Sequence, residues 1–187
     1  LDDISFYGRA LSDSEVTTLY HETCEGMEEI RSGDYKIYTR QDDSGKKTAS
    51  ITGYFGNGGK VVIPGEIEGY QIVRLDDKAF YGNNSLTSIE APESLKEIGS
   101  EAFSGCTKLA EIKLPQEMEN IEWGAFYDCI NLNNITLPEG IKRIGWGMFY
   151  NSGITSIKLP ESVTEMGEKA FWSCSSLKNV EILGRIS

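Results

Sequence analysis

Leu159-Pro160-Glu161-Ser162-Val163-Thr164-Glu165-Met166-Gly167-Glu168-Lys169-Ala170-Phe171, followed by Cys174 and Leu177, is the stretch that decides the fold, because its parts recur along the chain in a fixed register. Phenylalanines stand at Phe80, Phe103, Phe126, Phe149 and Phe171, with spacings of 23, 23, 23 and 22 residues. The five prolines are Pro64, Pro92, Pro115, Pro138 and Pro160, and their last three spacings are again 23, 23 and 22. The one-residue shortening is local. Phe126-Tyr127-Asp128-Cys129-Ile130-Asn131-Leu132 becomes Phe149-Tyr150-Asn151-Ser152-Gly153-Ile154, and a loop absorbs the loss. Self-similarity at a period of about 20 to 50 residues is the mark of a stacked-repeat architecture.

Within one unit the apolar positions run Ala102-Phe103, Cys106, Leu109, Ile112, Leu114-Pro115, Met118 and Ile121, and then the next Ala125-Phe126 begins. Ile112 and Leu114 alternate with Glu111 and Lys113, the period of two of a short strand with one buried face. Proline then ends the strand, since it has no donor for a ladder. A strand and a return segment of this length cannot bury their own apolar side. Neighbouring units must therefore stack at about 4.8 Å, which predicts a strand-rich solenoid with each repeat phenylalanine in its core. Cys106, Cys129 and Cys174 share one slot with Asn83 and Ser152. A slot that accepts Cys, Asn or Ser reads as a small inward residue that bonds or packs against the turn backbone. Stacking also brings Cys106 within bridging range of Cys129, although the buried-thiol reading is preferred. Cys24 has no evident partner.

This pattern resembles the BspA-type leucine-rich repeats of bacterial surface proteins, whose unit runs apolar-x-apolar-Pro, x-Val-x-x-Ile-Gly, Ala-Phe, Cys and Leu. Departures are Glu122 and Asp76 at the Gly slot, Met148 at the Ala slot and Ala91 before Pro92. The resemblance implies an α/β-type, strand-rich solenoid over residues 61–187, with about five repeats. It also implies a non-catalytic extracellular adhesion module of a bacterial surface or secreted protein, whose partners are host or neighbouring-cell surface proteins or matrix proteins. Residues 23–60 read as a junction and an N-terminal hairpin cap: Tyr35–Thr39 and Ala49–Tyr54 flank the turn-forming Asp42-Asp43-Ser44-Gly45. Such a cap would cover the open edge of the first repeat. At the other end Asn179 to Ser187 opens a further unit and stops, so more repeats are expected beyond it. Residues 1–22, with the capping box Ser12-Asp13-Ser14-Glu15 ahead of Val16, Leu19 and Tyr20, are similar to the last strand and terminal helix of a laminin G-like jelly-roll domain.

Charge narrows the function. With 29 Asp and Glu against 18 Lys and Arg, the net charge of −11 opposes a phosphate backbone, so nucleic acid is a poor partner. No apolar run reaches the roughly 18 residues of a membrane span. His21 is the only histidine, so neither a His-based metal cluster nor a Ser-His-Asp arrangement can be assembled. Gly53-Tyr54-Phe55-Gly56-Asn57-Gly58-Gly59-Lys60 misses the phosphate-loop spacing and reads as a glycine turn. The scattered carboxylates read as solvated surface. No enzyme, metal or cofactor is expected, and a monomer is.

The remaining signal is aromatic. The residue after each phenylalanine is Tyr81, Ser104, Tyr127, Tyr150 or Trp172, and three before it stand Asp77, Ser100, Trp123, Trp146 or Glu168. Taken as a helical turn, positions four apart share a face. That reading pairs Trp123 with Tyr127 and Trp146 with Tyr150, and stacking sets the two pairs side by side in one four-aromatic patch, extended by Tyr81 at one end and Trp172 at the other. Such a patch is either a binding site for a protein or glycan, since aromatic residues supply hot spots, or a cover over the convex side of the core. Cover weighs more for the tyrosines, and the two readings balance for Trp123 and Trp146. A chain with only cover would be a passive spacer in a larger secreted protein. The outward strand positions, from Ser88 and Glu90 through Glu111 and Lys113 to Asn179 and Glu181, are polar and mixed in charge and read as ordinary solvated sheet.

Overall fold

A computed structural model describes residues 27–185. The reading of residues 1–22, together with His21 and Cys24, lies outside the described residues. The described residues open with an antiparallel meander of β1 (Glu29–Ser32), β2 (Tyr35–Gln41) and β3 (Lys47–Tyr54). Its second turn is closed by Asp42, whose Oδ1 accepts from the backbone N–H of Ser44 and of Lys46 at 3.0 Å each. These bonds favour the ionised carboxylate and lower its pKa, the Ser44 hydroxyl contributing most. β3 pairs in parallel with β6 (Tyr70–Leu75), so the expected hairpin does cover the first repeat's edge, with β1 as an additional strand.

Beyond β3 the chain winds as a solenoid with two parallel strand columns. One runs from β3 and β6 through β8 (Glu97–Ile98) to β10 (Asn120–Ile121), with β5 (Glu66–Ile67) antiparallel to β6. The other runs β4 (Gly59–Val62), β7 (Leu86–Glu90), β9 (Glu111–Lys113) and β11 (Asn134–Ile135). Both columns are then interrupted. β12 (Arg143–Ile144) pairs with β14 (Glu165–Met166), and β13 (Ser156–Leu159) with β15 (Asn179–Ile182), as separate two-stranded sheets.

The third side is made of turns, and here the expected helical turn is corrected: the described residues contain no helix. Lys78, Glu101, Gly124, Gly147 and Lys169 have positive φ, and four residues on so do Gly82, Gly105, Asp128, Asn151 and Ser173. A left-handed residue at every fourth position breaks a right-handed helix into linked tight turns. The N–H groups consequently split into two sets. Those of Ala102, Ser104 and Cys106 close turns onto Gly99, Glu101 and Phe103, whereas those of Glu101, Phe103 and Gly105 reach the carbonyls of Trp123, Ala125 and Tyr127 in the next repeat. The backbone is thereby satisfied by a ladder that runs along the solenoid.

Inside the turns the phenylalanines form a continuous stack. Tyr54, Phe80, Phe103, Phe126, Phe149 and Phe171 succeed one another with ring centroids 5.0, 5.1, 5.8, 5.5 and 5.5 Å apart. Phe80, Phe103, Phe126 and Phe149 are fully buried, as the register requires, but Phe171 and Cys174 are only half-buried in the last described turn. Cys106, Cys129 and Cys174 are free thiols. Each donates to the carbonyl of the phenylalanine one repeat back: Cys106 to Phe80 at 3.1 Å, Cys129 to Phe103 at 3.1 Å and Cys174 to Phe149 at 2.9 Å. Burial pushes the Cys106 thiol up to about 12 and the Cys129 thiol well above its ordinary range, which keeps both protonated.

Candidate functional site

The turn side presents the aromatic residues singled out above. Trp123 and Trp146 flank the glycines of their turns, and the sequence Trp-Gly-x-Phe-Tyr occurs at 123–127 and again at 146–150. Glycine suits this slot because it adopts the left-handed φ without strain; a Cβ on Gly147 would meet the Tyr127 ring at an ordinary contact distance of 3.7 Å.

The rings meet between repeats, as stacking of the two pairs implied, and not within one repeat as the helical turn implied. Trp123 meets Trp146 edge-on at 6.4 Å and 70°. Tyr127 lies flat on Tyr150 at 4.4 Å and 2°, and near-parallel to Trp146 at 6.5 Å. Four aromatics thus form one cluster. Tyr81 and Trp172 share the face, at 59% and 60% exposure, but make no ring contact with that cluster; buried Ser104 interrupts the row between Tyr81 and Tyr127. Trp123 and Trp146 remain 44% and 42% exposed, while Tyr127 and Tyr150 are half-buried.

Charged side chains border the cluster. The Glu101 side chain passes over Gly124, whose added Cβ would sit 3.3 Å from its Cγ, and its carboxylate pairs with Lys78 at 3.2 Å. Asp128 accepts from the Asn151 amide at 2.8 Å. Lys169 Nζ stands 5.8 Å from the Trp146 ring centroid, and Lys78 Nζ 5.7 Å from that of Tyr81. The Tyr127 hydroxyl is raised in pKa, by desolvation first and then by Tyr150, Asp128 and Glu101. No group of metal-ligating side chains occurs among the described residues.

On the strand side two shallow depressions, of about 420 and 400 Å³, share Asn134, Ile135 and Thr136 and together follow the second column. Their rims carry Glu111, Lys113, Lys158 and Glu181, and no aromatic ring lines either one. Polar alternation had marked these positions as plain sheet. It gave no sign of the two depressions along them.

This geometry can be set beside known proteins. A model of BspA-type leucine-rich repeat regions matches residues 70–187 with six copies. The chain belongs to the BspA-type leucine-rich repeat family. This BspA-type match starts nine residues later than the boundary at Val61 and counts one repeat more than about five. Among solved structures the chain is similar to a leucine-rich repeat protein of T. pallidum, with 36% identity, a TM-score of 0.73, and coverage of 82% of this chain and 71% of that one. A leucine-rich repeat protein of Bacteroides ovatus shows 32% identity and a TM-score of 0.71, over 81% of this chain but 40% of its own length. A leucine-rich cell surface protein of Faecalibacterium prausnitzii shares the fold at 23% identity and a TM-score of 0.56, over 84% of this chain and 55% of that one. Curated protein sequences yield no match. None of these three relatives is described as an enzyme. No helix among the described residues is long and apolar enough to cross a membrane.

Proposed function

We propose that this chain is a non-catalytic interaction module on the outside of a bacterial cell, and that it binds a protein ligand through its turn-side aromatic cluster. The reading rests on one observation: Trp123 and Trp146 touch each other and stay 44% and 42% exposed. Two adjacent half-exposed indoles are an uncommon feature for a surface without a partner, and tryptophan is among the residues that most often carry binding energy. The rigid turn ladder beneath them limits the ordering cost of binding. An extracellular bacterial setting is supported by family membership and by the fold shared with a protein described as a cell surface protein.

The test is a screen of the chain and its Trp123→Ala/Trp146→Ala variant against arrays of extracellular-matrix proteins and of glycans. A protein hit lost in the variant is the expected result. A protein hit of equal strength for both forms would move the site to the strand-side depressions. Hits confined to glycans would make this a glycan-binding module instead.

A further inference from the structure

The aromatic cluster has a chemical bias as well as a shape. An aromatic face carries negative charge density and attracts a cation within about 6 Å of the centroid, most strongly at tryptophan. The chain's own lysines already use this property, Lys169 over Trp146 at 5.8 Å and Lys78 over Tyr81 at 5.7 Å. Acids lie beside the same rings. Glu101 crosses Gly124 between Trp123 and Tyr127, and Asp128 and Glu101 both act on the Tyr127 hydroxyl. In sequence, Glu122 precedes Trp123, its carboxylate accepting from the Asn120 amide, and Glu168 occupies the tryptophan slot of the next repeat. Lys78 offsets Glu101 by direct pairing, and Lys169 is the other nearby base. Counted along the turns, the four acids Glu101, Glu122, Asp128 and Glu168 outnumber the two lysines, and the whole chain carries −11.

We infer that this cluster receives the Arg or Lys side chains of a basic protein segment, the guanidinium or ammonium lying over the indole faces and the acids compensating its charge. The inference rests on the protein-binding reading above and specifies its chemistry. A neutral partner would gain nothing from the bordering carboxylates, and an acidic one would be repelled. Arginine is the better fit, because its planar, weakly hydrated guanidinium stacks on rings where an ammonium makes a point contact. Lys169 then acts as an internal competitor, holding one face of Trp146 until a ligand cation displaces it.

The experiment titrates the whole chain with Gly/Ser peptides that carry, at the same positions, Arg, Lys, citrulline or Glu, followed by tryptophan fluorescence and calorimetry at low and moderate salt. The expected order is Arg above Lys, with citrulline and Glu far weaker. Trp123→Ala/Trp146→Ala should weaken the Arg peptide about tenfold, corresponding to about 1.4 kcal/mol. Trp123→Phe/Trp146→Phe, which keeps a ring of weaker quadrupole, should weaken it about threefold. Lys169→Gln should tighten it about threefold by freeing the Trp146 face. Far-UV spectra and melting curves of each variant check that the fold is kept, and the tightening at Lys169 cannot arise from misfolding.

Equal binding of citrulline and Arg peptides would overturn the inference, as would an Arg peptide that ignores the tryptophan substitutions or binds nowhere. The two levels fail separately. An array protein whose binding needs Trp123 and Trp146 but is not displaced by the Arg peptide leaves the protein-binding reading standing and removes the cationic ligand. An array in which no hit depends on those tryptophans removes both.

Discussion

Phe126→Ala takes one ring out of the middle of the phenylalanine stack. Phe126 is fully buried, and its ring lies 5.8 Å from Phe103 and 5.5 Å from Phe149 with planes 6° and 12° apart. Truncating a buried phenylalanine costs about 3 to 5 kcal/mol through lost transfer energy and the cavity left behind. Each lost ring pair adds about 0.5 to 1.5 kcal/mol beyond burial, and two are lost here, so the expected cost lies at the upper end, about 5 kcal/mol. That is comparable with the whole stability of many domains. In a solenoid each repeat contacts only its neighbours, so the lesion should also uncouple the two halves. Urea unfolding followed by circular dichroism should show a lower midpoint, and calorimetry a broadened or split transition. Phe171→Ala is the control: half-buried, with Phe149 as its ring neighbour at 5.5 Å, it should lose roughly half as much. A loss below about 1 kcal/mol for Phe126, or equal losses at the two positions, would refute the stacking register.

Three further perturbations follow from the backbone and the thiols. Gly147→Ala forces a Cβ onto a residue at φ +56 where space is adequate, so its cost is conformational, about 1 to 2 kcal/mol, and a thermal melt should register it. Cys106→Ser tests the buried thiol through pH. Burial raises the folded pKa to about 12, above the unfolded value of about 8.5, so the thiol's contribution is complete below the unfolded value and is lost as pH climbs toward the folded one. Wild type should therefore lose more stability than Cys106→Ser between neutral and strongly alkaline pH in urea titrations, and parallel losses would contradict the burial argument. In site-resolved mass spectrometry a thiol reagent should modify half-buried Cys174 in the native state, and Cys106 and Cys129 after unfolding alone.

The features legible in the sequence are those that stacking repeats identically. The period, the phenylalanine stack, the Cys106, Cys129 and Cys174 slot and the strand that ends near each proline all recur at one spacing. A ligand-independent packing demand sets each of them. Features that depend on a few backbone angles stayed hidden. Lys78, Glu101 and Lys169 are not residue types that announce a left-handed φ, so the turn side resembled helix. The first strand column was missed for another reason: Asn120–Ile121 and Arg143–Ile144 are two residues long, too short for alternation to appear. The aromatic residues of the proposed site stood out in the sequence, because Trp123 and Trp146 occupy a slot filled elsewhere by Asp, Ser and Glu. Their adjacency across repeats followed from stacking, but which rings touch did not, since the pairing within one repeat assumed a helical turn that the turn ladder replaces.

That ladder also separates the roles of the two ring types. Between β10 and β12, and between β11 and β13, both strand columns lapse. The turn side continues across the same junction, with N–H groups of Gly124, Phe126 and Asp128 reaching the carbonyls of Trp146, Met148 and Tyr150 at 2.9, 3.0 and 2.9 Å. Phe126 on Phe149, Tyr127 flat on Tyr150 and the Asn151–Asp128 bond reinforce it. The tyrosine pair is thus a clasp where the strands contribute least, whereas the edge-on tryptophans leave surface open to solvent. Tyr127→Ala should lower stability by about 1 to 2 kcal/mol, and Trp123→Ala by less than about 1 kcal/mol while weakening ligand capture about threefold. Paired melting and binding measurements decide the matter. If Trp123→Ala destabilises the fold as much as Tyr127→Ala, the tryptophans belong to the clasp, their exposure is incidental to bridging the junction, and the strand-side depressions become the better place to look for a partner.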